Sequence, residues 1–353
     1  MQDNRRTLSI SPRAGAAYDP ATAVIYGQLI ETAYAMYDAQ PNNPTPPPPA
    51  TLPGGYRFIA WVQMQDFIIE NTGPQFYGLI AQGVSNPNQF VLAIRGTSGW
   101  VEWWDDLNAI RLVPFKDAGS GMVGAGFARI YNTLEVVTPP TAALAEAAPR
   151  SLRAAGGFSK QVSALLARHT AAGAAEGFAP SASIVVTGHS LGAALATLYV
   201  LDNALTDRIK NPSIYTFASP RVGDATFAGA FDSLGLASWR IANVLDIVPR
   251  VPLGFTHVDA LQQYDSFSTA LPTPACCHAL TTYLALIDSS LKPDSGCQWP
   301  FKAPAPMASV AEPAHPRAVA PAASQPAAPA PFTQAIPAGP VNLTITINVD
   351  ARE

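Results

Sequence analysis

Apolar residues recur at helical spacing from Ala21 to Ala39, where Val24, Leu29, Ile30, Ala33, Tyr34 and Tyr37 form one face of an N-terminal helix. The pattern stops at Pro41-Asn42-Asn43-Pro44 and the run Pro46 to Pro49, which cannot supply the N–H groups a helix needs. Arg57 to Glu70 and Phe76 to Gln82 read as strands on either side of the turn Asn71-Thr72-Gly73-Pro74, and Phe90-Val91-Leu92-Ala93-Ile94 as an unbroken apolar strand. Helical spacing returns over Phe127 to Leu134 and Phe158 to Thr170, with a loosely ordered, Ala-rich connection from Thr138-Pro139-Pro140 between them. The β-branched run Ile184 to Thr187, the Ala/Leu-rich helix Leu191 to Leu205 and the strand Ser213 to Ala218 follow. Asp224 stands as N-cap before a helix carrying Phe227, Phe231 and Leu234, and Trp239 to Leu245 is a last apolar strand. Strands first, then strand and helix in alternation, predict an α/β domain with a mostly parallel sheet and helices on both faces.

From Phe301 the chain turns to Pro and Ala, and Asn342 to Asp350 then alternates cleanly as one strand. The expected organisation is a lead over 1–19, a globular domain over 20–300, a linker over 301–341 and a C-terminal strand over 342–353, for which no function is legible. Charged residues are 13% and the net charge is −4, which offers no basic footprint for nucleic acid. No apolar stretch is long enough to span a bilayer. Met1 to Tyr18 carries Arg5 and Arg6 with no apolar region after them, so no secretion signal of the usual kind is expected, and export stays open. The three cysteines, Cys276, Cys277 and Cys297, show no metal-ligand spacing and allow Cys297 to bridge to either neighbour with one thiol spare.

The strand ending at Thr187 runs without a spacer into the helix from Leu191, and Gly188-His189-Ser190-Leu191-Gly192 lies between them. This Gly-x-Ser-x-Gly arrangement is a nucleophile elbow, a strained strand-to-helix turn that exposes the serine hydroxyl above the sheet. So tight a turn leaves no room for side chains two residues to either side, hence Gly188 and Gly192. Because the helix begins right after Ser190, the N–H of Leu191 is an unpaired first-turn donor directed where an oxyanion would form. His189 is adjacent, but neighbouring side chains diverge at a sharp turn, and it is read as packing under the elbow.

After the Phe90 to Ile94 strand comes Arg95-Gly96-Thr97-Ser98-Gly99-Trp100-Val101-Glu102-Trp103-Trp104-Asp105-Asp106-Leu107. With the elbow, this segment resembles the class 3, fungal-type lipases of the α/β-hydrolase superfamily, over roughly residues 20 to 300. The resemblance implies the α/β-hydrolase fold and gives the Thr97 N–H, with its hydroxyl, to an oxyanion hole; a helix cap at the same position is compatible with that role. It makes Trp100, Trp103 and Trp104 a lid that meets lipid or acyl chain, against the competing reading of a short amphipathic helix with its rings in the core. Ser219-Pro220-Arg221-Val222-Gly223-Asp224 matches a second family segment, with Ala218 where the family has glycine. At Gly124-Ala125-Gly126-Phe127 the family's histidine is missing.

Asp246, in Asp246-Ile247-Val248-Pro249, falls on the family's triad acid, just past a strand's carboxyl end, where open α/β sheets gather their sites. Among His169, His189, His257, His278 and His315, it is His278 that matches the family's terminal histidine before a short helix, while His257 fits a segment in which the histidine is structural. Ser190, Asp246, His278 is the α/β-hydrolase order. The implied activity is carboxylic-ester hydrolysis through an acyl-enzyme on Ser190, with triacylglycerol as the expected substrate, at a lipid–water interface. A short-chain carboxylesterase, a phospholipase or a polyester hydrolase would use the same triad, because acyl choice resides in the pocket. A non-catalytic α/β-hydrolase that binds an apolar ligand is the alternative from another class. No motif implies a metal or an organic cofactor.

Overall fold

The computed structural model describes residues 17–65, 73–97, 111–117, 119–140, 148–170, 182–206 and 209–300. Trp100, Trp103 and Trp104, the expected linker 301–341 and the expected strand 342–353 lie outside the described residues. Asp19 caps the first helix, α1 (Pro20–Ala39), accepting from the N–H groups of Ala21 and Thr22 at 3.2 Å each, and Pro20 occupies a position that needs no donor. The prolines after it lie along β1 (Tyr56–Gln65), where Trp61 Nε1 donates to the Pro46 carbonyl and Gln63 Nε2 to that of Pro44. Next come β2 (Pro74–Gly83), β3 (Gln89–Ile94) and a small hairpin of β4 (Leu112–Pro114) and β5 (Met122–Gly124) that leads into α2 (Ala125–Tyr131). β6 (Glu135–Thr138) and β7 (Arg150–Ser151) precede α3 (Phe158–His169). Then β8 (Ser183–His189), α4 (Leu191–Leu205), β9 (Ser213–Phe217), α5 (Ala225–Asp232), β10 (Ser238–Asn243) and β11 (Ala260–Tyr264) alternate. Two short helices, α6 (Pro274–His278) and α7 (Leu280–Ile287), follow.

Among the described residues the main sheet has nine strands in the order β11-β10-β9-β8-β3-β2-β1-β6-β7. The five from β3 to β11 pair in parallel, and β2, β1, β6 and β7 extend the sheet antiparallel. Side chains alternate between two cores. Phe90, Leu92, Ile94, Ile184 and Val186 join the core with α3 and α4, whereas Val91, Ala93 and Val185 join the one with α1 and α7. Both faces are therefore covered, as parallel strands require. Two elements differ from the pattern: α2 starts and stops earlier than the spacing of Phe127 to Leu134 predicts, and Glu135–Thr138, expected to lead into a connection, is a strand on β1. The reason in the second case is pairing, since Val136 and Val137 each bury against a different core.

Candidate active site

The turn between β8 and α4 places Ser190 at φ 57°, ψ −124°, a left-handed conformation that costs a non-glycine residue about 1–3 kcal/mol. Close backbone packing holds it there. A Cβ on Gly188 would come 2.3 Å from the Gly192 carbonyl oxygen, and one on Gly192 would come 2.3 Å from that of Ile94, at the end of β3. The Ser190 N–H donates to the Phe217 carbonyl at 3.0 Å, which fastens the turn to β9. Just beyond, Ala218 has φ 52°, a conformation that favours the glycine of the family segment over alanine.

Three side chains distant in sequence meet at the carboxyl ends of the parallel strands. Ser190 Oγ lies 2.9 Å from His278 Nε2, and His278 Nδ1 lies 2.8 Å from Asp246 Oδ2. A carboxylate only accepts, so Nδ1 carries the proton and Nε2 accepts from the serine hydroxyl. Asp246, in the turn after β10, is fixed on both oxygens: Oδ1 accepts from the Val248 N–H at 2.9 Å and Oδ2 also accepts from the Tyr283 hydroxyl at 2.8 Å. All three residues are buried.

The N–H of Leu191, first residue of α4, has no acceptor within the helix. Opposite it, the segment Arg95-Gly96-Thr97 leaves β3 against the elbow, since a Cβ on Gly96 would lie 3.0 Å from Ser190 Cβ. Both ends of the Gly96 peptide are held. Its N–H donates to the Tyr34 hydroxyl at 2.7 Å, and its carbonyl accepts from Arg95 Nη1 at 2.7 Å. The buried Arg95 guanidinium lies between the rings of Tyr37 and Tyr77, 3.6 and 4.2 Å from their centroids, and donates twice to the Phe76 carbonyl. Tyr34 continues to His189 Nδ1 at 2.8 Å, and His189 Nε2 donates to the His278 carbonyl at 2.8 Å. Burial, and then the neighbouring His278, hold His189 well below the usual histidine pKa, so it is a neutral brace between the β8–α4 turn and His278. A cavity of about 430 Å³ opens beside this group, with Tyr34, Thr97, His189, His278 and Leu280 in its wall.

Among the described residues, the other histidines stand apart, and His315 lies outside them. His257 donates through Nε2 to the Pro249 carbonyl, and burial followed by the nearby Arg240 lowers its pKa to about 4. His169, at the end of α3, is lowered by burial and then by Arg57 and Arg168. Asp224 is the N-cap of α5, accepting from Phe227 N–H at 2.8 Å. Cys276 pairs with Cys297, Cα atoms 5.2 Å apart, and Cys277 is a buried free thiol next to His278. Tyr34 and Asn243 carry no sequence signal of a site role, because each acts through contacts that only the tertiary fold brings about, whereas Arg95 and Tyr283 lie in segments that carry the family resemblance.

Residues 91–256 match the family Lipase (class 3). The chain is 27% identical over 259 residues to phospholipase A(1) DAD1 of Arabidopsis thaliana, covering 64% of this chain and 54% of that protein. It is 30% identical over 241 residues to phospholipase A1-II 4 of Oryza sativa subsp. japonica, covering 62% and 56%. The chain spans about half the length of the curated relatives it matches. Among solved structures, the Lip2 lipase of Yarrowia lipolytica superposes with a TM-score of 0.50 at 19% identity, over 72% of this chain and 82% of that one, a likeness of fold alone. Residues 91–256 thus carry the likeness to class 3 lipases, and the sheet order with the superposition shows the α/β-hydrolase fold.

Proposed function

We propose that this protein is a serine hydrolase of carboxylic esters in acyl lipids, with Ser190, His278 and Asp246 as its triad. The hydrogen-bonded series Ser190 Oγ, His278 Nε2, His278 Nδ1, Asp246 Oδ2 supports this reading above all else. As Ser190 Oγ bonds to the ester carbonyl carbon, its proton passes to His278 Nε2 and the carbonyl π pair becomes an oxyanion. The Leu191 and Thr97 N–H groups receive that charge. The oxyanion collapses, the bond to the leaving oxygen breaks, and His278 returns the proton to the departing alcohol. Water then repeats the sequence on the acyl-enzyme and releases the acid. Asp246, held by Tyr283 and Val248, steadies the imidazolium and its tautomer.

Triacylglycerol is the first substrate in this proposal. A phospholipid ester is the second, supported by relatives that carry the name phospholipase A1. The segment holding Trp100, Trp103 and Trp104 is proposed as the cover that meets the acyl chain. Hydrolysis of a p-nitrophenyl ester series, of triolein emulsion and of phosphatidylcholine vesicles tests the proposal. Ser190→Ala should lower kcat by about 10⁴-fold or more with the fold intact. Ser190-independent turnover on every substrate would refute it.

A further inference from the structure

The base and the acid come from separate turns, and one buried side chain joins them. Asn243 ends β10 and is 2% exposed. Its Nδ2 donates to the Cys277 carbonyl at 2.8 Å and to Ser266 Oγ at 2.9 Å. Its Oδ1 accepts from the N–H groups of Ser266 at 3.1 Å and of Leu245 at 3.3 Å. The main chain of the same residue is engaged too: its carbonyl accepts from the Asp246 N–H at 3.1 Å, and its N–H donates to the Tyr283 hydroxyl at 3.1 Å. Tyr283 in turn donates to Asp246 Oδ2, the oxygen that receives His278 Nδ1–H. The bonds close a ring from Asn243 through Tyr283, Asp246 and His278 back through the Cys277–His278 peptide to Asn243.

We infer that Asn243 is the positioning residue that sets the separation of His278 from Asp246; the inference rests on the triad reading above. A carboxamide offers two donors and two acceptor lone pairs, and here all four are used. No other side chain of this length supplies both. Aspartate has the same shape, yet it turns an acceptor toward the Cys277 carbonyl, so two oxygens face each other without a proton between them. Ser266 can rotate its hydroxyl to donate, whereas a carbonyl has no such freedom. The strain therefore falls on α6, a five-residue helix that carries His278 at its end and has too few internal bonds to resist it.

The test compares wild type, Ser190→Ala, Asn243→Asp and Asn243→Ala by p-nitrophenyl butyrate kinetics, thermal melting and low-field proton NMR of the His278 Nδ1–H. The expected result for Asn243→Asp is a fall in kcat of about 30- to 100-fold, the scale of a misplacement near 1 Å, with KM within about threefold of wild type. The low-field resonance is expected to vanish or move upfield while the protein stays folded. Wild-type kcat with an unchanged resonance in a folded variant overturns the inference. So does failure of both variants to fold, which would make Asn243 a general core residue. If wild type itself shows no Ser190-dependent turnover, the hydrolase reading fails, and the resonance alone decides the positioning role: retained in Asn243→Asp it is overturned, lost in a folded variant it stands.

Discussion

Around Ser190 backbone packs on backbone, with Gly188 and Gly192 leaving no space for a Cβ against the Gly192 and Ile94 carbonyls, whereas around Asp246 and His278 side chains from Tyr283 and Asn243 reach across to separate turns. The first arrangement is built from neighbouring strand and helix and resists by excluded volume. The second is built from hydrogen bonds between segments tens of residues apart and resists only as long as each partner is present. Added volume should therefore damage the Ser190 side, and lost donors the Asp246–His278 side.

The largest effect is expected from Gly192→Ala. Its new Cβ would meet the Ile94 and Arg95 carbonyl oxygens at 2.3 and 2.5 Å, and neither backbone can withdraw without breaking β3 from β8. Overpacking of this kind costs about 3 kcal/mol or more, so thermal melting should show a large loss of stability together with loss of turnover. Wild-type melting would mean that the elbow has slack and would erase the contrast.

Tyr283→Phe probes the other side by removing a hydroxyl without adding volume. Asp246 loses one of its donors and the Asn243 N–H loses its acceptor. A hydrogen bond to a charged group contributes about 1.5–3 kcal/mol, so kcat should fall by roughly 10- to 100-fold in a protein that still melts cooperatively. Unchanged kcat would show that Val248 and His278 suffice to hold Asp246.

The smallest catalytic effect is expected at the far end of β10. There Asp259 accepts from the Ser238 hydroxyl through Oδ1, while its buried Oδ2 has no hydrogen-bond partner among the described residues. Burial first, and then nearby Asp232, raise its pKa from 3.8 to about 7. A carboxyl raised on folding binds its proton more tightly in the folded state, so its contribution is full below about pH 4 and is lost as pH rises through 7. The Asp259→Asn variant carries a side chain that is neutral at every pH and at ease with the positive φ of 75°. It should melt higher than wild type at pH 8 and close to it at pH 4. Turnover should hardly change. A melting curve that gains nothing at pH 8 would assign the burial cost elsewhere.

The same contrast explains what can be read from the chain. The elbow is legible because strand, glycines, serine and small-residue helix are contiguous from Ile184 to Leu205, and Gly188 and Gly192 fall where volume is excluded. Asp246 and His278 are legible only through chain order and resemblance, since the partners of Asp246 lie 32 and 37 residues away. Asn243 and Tyr34 give no signal. One reads as the polar end of an apolar strand and the other as part of a helix's apolar face. The short strands escape the pattern for a different reason: Ala260–Tyr264 is an edge strand whose glutamines are not buried, and pairing with β10, not hydrophobic alternation, makes it a strand.

The most direct test of the central claim is covalent trapping with a p-nitrophenyl alkylphosphonate, read by intact-mass and peptide mass spectrometry alongside residual esterase activity. The triad account predicts one phosphonyl group per chain, on the peptide containing Ser190, with activity falling in proportion to labelling. Hydrolysis that persists after Ser190 is fully modified, or a chain that takes up no label, would contradict it.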